Sequence, residues 1–327
     1  MNAPLSLIDF CTRYPDETVG EAMRRSVAFA QQAEALGYER IWYSEHHNMP
    51  SIVSSAPAVL IAHIGAKTSR IRLGSGGVML PNHAPYVIAE QFGMLEELYP
   101  GRIDLGLGRA PGTDQQTLGR ALRRDPRAAE NFPQDVQELQ AWLSNESPLP
   151  GVTAMPGYNT NVPLIILGSS MFGASLAAQL GLPYAFASHF APQHLEQATA
   201  YYRENYQPSE RHPEPYCIAA VNVTAAGTEE DAKRQTTVVH RNRVRAFMGR
   251  QGKQLSDDQL DTVVNSYQGR QITDMLRYTA EGTGEQVAEY LENFRTTAQA
   301  DELMISLQAG SHEEVGRSME ILAEAWN

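Results

Sequence analysis

Eight short apolar runs, each followed by a longer amphipathic stretch, predict an α/β fold whose parallel strands close into a (β/α)8 TIM barrel. The strand candidates are residues 5–10, 40–44, 71–77, 103–107, 163–168, 184–187, 217–224 and 302–308. They are apolar with little interruption, as strands covered by helices on both faces require. An open, doubly wound sheet is the alternative; a count of eight βα units favours closure. The chain has 327 residues, 42% apolar and 20% charged. That is enough to bury a large core, and barrels often run this long as one unit, so a single domain over 1–327 is expected.

Helices are expected near 19–36, 56–67, 86–98, 135–143, 173–180, 194–204, 229–248 and 285–298, with a last one over 312–326. Two connections exceed what a plain crossover needs: 108–161 after the fourth strand, and 225–300 after the seventh, with room for two or three helices. Long excursions at a barrel's catalytic face commonly build pocket walls or lids, and the second is the lid candidate. The second and third helices are apolar over more than one face, with Val87, Ile88, Phe92 and Met94 in the third. This predicts either a homodimer interface or burial beneath the long loops.

The formal net charge of −12 makes nucleic acid and anionic lipid poor partners. Cys11 and Cys217 are the only cysteines and have no metal-like spacing, so neither a disulfide framework nor a metal site is expected. With no leader pattern and no apolar run of membrane-spanning length, a cytoplasmic protein is expected.

Strand ends feed the active site of a barrel. The second strand ends in Trp42-Tyr43-Ser44-Glu45-His46-His47-Asn48. Paired histidines beside a carboxylate supply a general base or ligand hydrogen bonds, or else are solvated loop residues. The third runs into Gly74-Ser75-Gly76-Gly77, where glycines admit a flat ligand close to the backbone or mark a bulge. The fourth runs through Gly106-Leu107-Gly108-Arg109-Ala110-Pro111-Gly112. Its spacing and Pro111 do not fit a dinucleotide fingerprint, and Arg109 projects over the rim toward a phosphate or a carbonyl, or into an ion pair. The fifth ends Gly168-Ser169-Ser170-Met171-Phe172-Gly173 and passes at once into a helix. That is an anion site or an ordinary N-cap. The rim residues Met79, Leu80, Met171 and Phe172 supply dryness or belong to the core. A basic cluster, Lys233, Arg234, His240, Arg241, Arg243, Arg245 and Arg250, has Val244, Phe247 and Met248 at helical spacing. It reads first as a solvated helix face and second as a face closing over an anionic cofactor.

Together the segments 45–48, 76–85, 100–114 and 167–183, with 301–305 as a weaker echo, resemble the bacterial luciferase-like flavin-dependent monooxygenases over nearly the whole chain. The resemblance implies an enzyme that receives reduced FMN from a separate NAD(P)H-flavin reductase. With O2 it oxygenates a small organic substrate. His46 matches the family's catalytic base. Gly76 and Gly77 match a pair of small residues whose peptide is cis and lies against the flavin ring. Gly108 and Arg109 match flavin contacts, and Ser169, Ser170 and Gly173 match the phosphate grip. The luciferase subunit carries a reactive cysteine where Gly108 stands, an acidic residue at Ser169 and a threonine at Gly173, so the phosphate grip differs in detail. The alternatives are a deazaflavin-dependent hydride-transfer enzyme on the same barrel and a non-catalytic flavin-binding protein.

Overall fold

The computed structural model describes residues 2–14, 16–249 and 255–327. Its first six strands are β1 (Leu5–Asp9), β2 (Arg40–Tyr43), β3 (Arg72–Met79), β4 (Ile103–Gly108), β5 (Leu164–Gly168) and β6 (Tyr184–Phe186). They are followed by β7 (Cys217–Ala225), β8 (Thr279–Gly282) and β9 (Glu302–Leu307). All pairings are parallel. β1 to β6 pair in sequence, β6 then pairs β7, β7 pairs β9, and β9 returns to β1. The sheet therefore closes into an eight-stranded barrel, which removes the doubly wound alternative. The eight strands expected from the sequence are these eight, within two residues at most of their ends.

The interleaved helices are α1 (Val19–Leu36), α2 (Pro57–Gly65), α3 (Pro85–Leu98), α4 (Phe132–Leu143), α5 (Met171–Leu180) and α6 (Leu195–Glu204). After β7 come α7 (Glu229–Gly249), α8 (Asp257–Val264), α9 (Tyr267–Thr273), α10 (Gly284–Thr297) and, last, α11 (His312–Trp326). Local chemistry sets several ends. Thr18 and Glu21 form a reciprocal capping box at the start of α1, and Gly37 closes it at φ 83°. Pro57 and Pro85 open α2 and α3, where a missing N–H costs nothing.

The excursion after β7 differs from expectation. Among the described residues it holds four helices and the extra strand β8, which pairs only with the end of β7, from Asn222↔Thr279 to Ala225↔Gly282. The helices α8 and α9 are too short to show a clear apolar period, although Ser256 and Gln259 form a capping box that announces the first. With α7 they enclose a small separate core of Val244, Met248, Leu260 and Ile272. Two arginines of the basic cluster join this packing through α8, and others pair on α7 itself or with α11. Arg241 pairs with Asp261, Arg245 with Asp257, Lys233 with Glu229, and Arg234 with Asp231 and Glu314. Arg250 lies outside the described residues.

Side chains alternate along each strand, so the barrel interior is stacked in layers. At the N-terminal end Arg40 bridges Asp104 (2.8 Å) and Glu302 (2.9 Å). Arg72 pairs with Asp104, and Ser6 and Tyr216 donate to Glu302. Two guanidinium groups thus face two buried carboxylates, with hydroxyls taking further lone pairs, an arrangement that burial of charge demands. Above it lies an apolar layer: Ile8, Trp42, Ile165, Ala185, Ile218, Ala220 and Met304. The third layer is the open C-terminal mouth. Cys11 and Cys217 are free and buried, and no described helix is long and apolar enough to cross a membrane.

Candidate active site

The strand ends deliver the residues singled out in the sequence to one rim. Between β3 and β4 the register slips: Ser75 faces Leu105, but Val78 faces Leu107, so β3 carries one extra residue. The bulge is Gly76-Gly77, and its peptide is cis. A Cβ on Gly77 would lie 2.8 Å from the Gly106 carbonyl oxygen and 3.3 Å from the Gly108 nitrogen, so β3 and β4 approach as only glycine permits. Gly77→Ala is expected to lower the urea midpoint by an amount worth about 1–3 kcal/mol, through overpacking against backbone. Gly119→Ala, with nothing within 4 Å of its Cβ position, is the matched control.

Beyond β4, Arg109 makes no ion pair among the described residues. Its guanidinium lies 4.0 Å from the ring centroid of Phe172, the second residue of α5, and this cation–π contact leaves its N–H groups for a ligand. Ser170 is the N-cap of α5 in extended geometry, yet its side chain makes no capping hydrogen bond. Gly173 packs in the first turn of α5 against Gly168 and Tyr184. The result is a helix N-terminus with unspent amides, two serine hydroxyls and an arginine alongside, a cradle that suits a phosphate.

The loop after β2 is organised by Glu45, 1% exposed. Its carboxylate accepts from His47 Nε2 (3.0 Å), His83 Nε2 (2.9 Å), the Met79 N–H (3.0 Å) and Asn82 Nδ2 (3.3 Å). A carboxylate only accepts, so both histidines carry their proton on Nε2 in this arrangement. Both loops are tied to the one after β4: from the loop after β2 the His47 N–H donates to the Gly112 carbonyl, and from the segment after β3 Asn82 Nδ2 donates to that of Pro111. Glu45 therefore joins the loops after β2 and β3, and through them the loop after β4. Burial pushes its carboxyl upward, but the hydrogen bonds from His47, His83 and Met79 outweigh this and hold it near 2. It is a carboxylate throughout the neutral range.

His46 has partners distinct from those of this hub. Its N–H donates to the Ser54 carbonyl, its Nδ1 is 3.1 Å from Ser44 Oγ, and its ring meets Phe10 at a centroid distance of 6.1 Å. Burial lowers its pKa from the ordinary histidine value, with Glu45 opposing and His47 adding to the effect, so the ring is neutral at neutral pH.

The structure thus brings Gly76, Gly77, Gly108, Arg109, Ser169, Ser170, Gly173 and His46 to one mouth. Of the four apolar rim candidates, Leu80 is core, Met79 and Met171 are half-buried, and Phe172 is the platform for Arg109. Sequence reasoning missed the organising role of Glu45 and passed over His189 and Asn222. Counting by two along β7 from the inward-facing Ala220 leads to Asn222, so strand parity was the available signal there; His189 stands in the turn beyond β6, where alternation gives none.

A closed parallel barrel with unspent helix amides, a glycine bulge and a neutral histidine at its C-terminal rim suits a phosphate-bearing planar cofactor. Residues 7–325 match the family model of the luciferase-like monooxygenases. The chain belongs to that family and is a flavin-dependent monooxygenase-type enzyme. It is 43% identical over 317 residues to a luciferase-like monooxygenase of Escherichia coli (strain K12), covering 97% of this chain and 95% of that one. Among solved structures, apo-MsnO8 superposes with a TM-score of 0.88 at 33% identity, covering 99% and 98% of the two chains. The oxygenating constituent of 3,6-diketocamphane monooxygenase from Pseudomonas putida, in complex with FMN, shares the fold with a TM-score of 0.74 at 15% identity, covering 99% and 97%.

Proposed function

We propose that this enzyme is cytoplasmic and binds reduced FMN, delivered by a separate NAD(P)H-flavin reductase, to oxygenate a small organic substrate with O2. The observation that carries the proposal is the meeting, on one rim, of the unspent N-terminus of α5 with Arg109 and the Gly76-Gly77 bulge. Ser169, Ser170, Gly173 and Arg109 would hold the phosphate. Gly76, Gly77 and Gly108 present backbone without side chains to the ring. These residues fit the group, because the hydroxyl of Ser170 caps nothing of its own helix.

Reduced FMN, when bound, supplies the electrons that activate oxygen. The protein keeps water out with the apolar faces of Phe10, Met79, Leu167 and Phe172, and moves a proton with His46. In the tautomer that donates Nδ1–H to Ser44 Oγ, Nε2 is the basic nitrogen. The lack of any dinucleotide fingerprint in the sequence supports a separate reductase.

Anaerobic titration with reduced FMN, then with a reduced deazaflavin, tests this. FMN is expected to bind stoichiometrically and to be reoxidised by admitted oxygen at a rate unlike that of free FMN. Tighter binding of the deazaflavin, or an oxygen-insensitive complex, would overturn it. We also read the enzyme as one barrel unit that pairs as a homodimer. Val59, Val87, Met94 and Leu98 on α2 and α3 remain exposed in the single copy. A one-copy mass by light scattering would remove the dimer.

A further inference from the structure

The mouth has two halves of different chemistry. The half built by β3, β4 and β5 presents glycines, backbone and the start of α5. The half that includes β6 and β7 presents two side chains, His189 and Asn222, that the flavin reading does not use.

His189 lies in the turn that follows β6 and is 6% exposed. Neither ring nitrogen has a hydrogen-bond partner among the described residues. The ring is nonetheless fixed. Phe190 meets it edge-on at 4.8 Å, Phe10 lies at 6.0 Å, and its backbone carbonyl accepts from Asn222 Nδ2 at 2.7 Å. Phe10 also touches His46, so the two histidines flank one phenyl ring.

Asn222 lies on β7, two residues beyond Ala220 and four beyond Ile218, both of which face the barrel interior. It is fully buried, and with Nδ2 committed to the His189 carbonyl its Oδ1 has no partner among the described residues. Buried polar groups are nearly always hydrogen-bonded. A phenylalanine and a leucine would pack here without that cost. Burial first, and then the nearby Arg243 guanidinium, hold the His189 pKa down at about 3, so its ring is neutral, one donor and one acceptor.

We propose that His189 and Asn222 form the recognition pole for the organic substrate, taking an uncharged amide-type group whose oxygen accepts from the imidazole N–H and whose N–H donates to Asn222 Oδ1. The proposal rests on the β3–β5 half being the flavin site. A carboxylate is the wrong ligand, because Asn222 Oδ1 would face it with a second acceptor. The pyrimidine edge of a flavin offers the same donor and acceptor chemistry, so the test needs an arm for each source.

The experiment uses protein carrying isotope-labelled histidine, first loaded with FMN and then titrated with N-methylacetamide. The His189 ring signals are those lost in His189→Phe, which keeps the packing against Phe10 and Phe190. The expected result is a saturable shift of those signals by N-methylacetamide in the FMN-loaded protein, abolished by Asn222→Leu. His189→Phe is expected to keep FMN affinity within about twofold of the parent, since the two halves are separate. Should the phenylalanine variant fail to fold, His189→Gln, which also lacks the ring, identifies the His189 signals in its place. Signals that move on FMN loading and then ignore the probe would assign the pair to the flavin and overturn the proposal. Signals that ignore both would make the pair structural and overturn it equally. If FMN does not bind at all, the flavin reading fails, and this proposal falls with it.

Discussion

Replacing His46 with alanine is expected to cut turnover by at least about tenfold while FMN affinity stays within about twofold of the parent. The ring stands at the mouth, away from the phosphate cradle, so its loss removes no grip on the cofactor. What it removes is a neutral imidazole whose Nδ1 is engaged by Ser44 Oγ and whose burial favours the uncharged, proton-accepting form. Fluorescence quenching of FMN reports the affinity. Oxygenated product per reduced FMN supplied reports turnover. Equal turnover in parent and variant would exclude His46 as the base, and weakened FMN binding would make it a flavin contact instead.

Glu45→Gln is expected to have the largest effect on stability. The glutamine offers an N–H₂ group to a position where four donors converge, so at least one donor is left unmatched in a buried site. The lost carboxylate also removes a pH-dependent contribution whose sign is definite. In the folded protein its pKa is depressed from the ordinary 4.5 to about 2, so the contribution is full above about 4.5 and is lost as pH falls through about 2. A shift of that size corresponds to about 3 kcal/mol at neutral pH, with little screening, because the side chain is almost wholly buried. Urea midpoints of parent and variant are expected to differ most at pH 7 and to converge between about pH 4.5 and pH 2. A gap that stays constant over that window would show that Glu45 does not titrate as a held carboxylate. FMN affinity should fall as well, because Glu45 joins the loops that carry His46 and the Gly76-Gly77 bulge.

The legible part of the fold was the part written in short-range pattern. Each barrel strand is an apolar run flanked by Gly, Pro or a helix start, and α1 is announced by Thr18 and Glu21 before its first turn. The one strand missed among the described residues has no such marks. β8 reads Thr-Ala-Glu-Gly and exists only because the end of β7 offers it a free edge. The basic cluster on α7 read as a solvated face, and its pairing with Asp257 and Asp261 required α8 to be placed.

The candidate site divides in the same way. Gly76, Gly77, Arg109, Ser169, Ser170 and His46 were singled out because they stand at or near the ends of strands, and in a parallel barrel every strand ends at the same face. Strand order and side-chain alternation are properties of the chain itself, so the sequence determined the barrel and the rim on which its chemistry sits. What the tertiary structure decided is which rim residues share an environment. Glu45 becomes a hub because β3 delivers Met79 and His83 to it from over thirty residues away. Arg109 keeps its N–H groups available for the proposed phosphate because Phe172, from the next βα unit, takes the place of a carboxylate. His189 and Asn222 become a pair because β6 and β7 close the barrel side by side. Such contacts depend on distances between segments far apart in the chain, and a pattern that repeats every two or four residues carries no record of them.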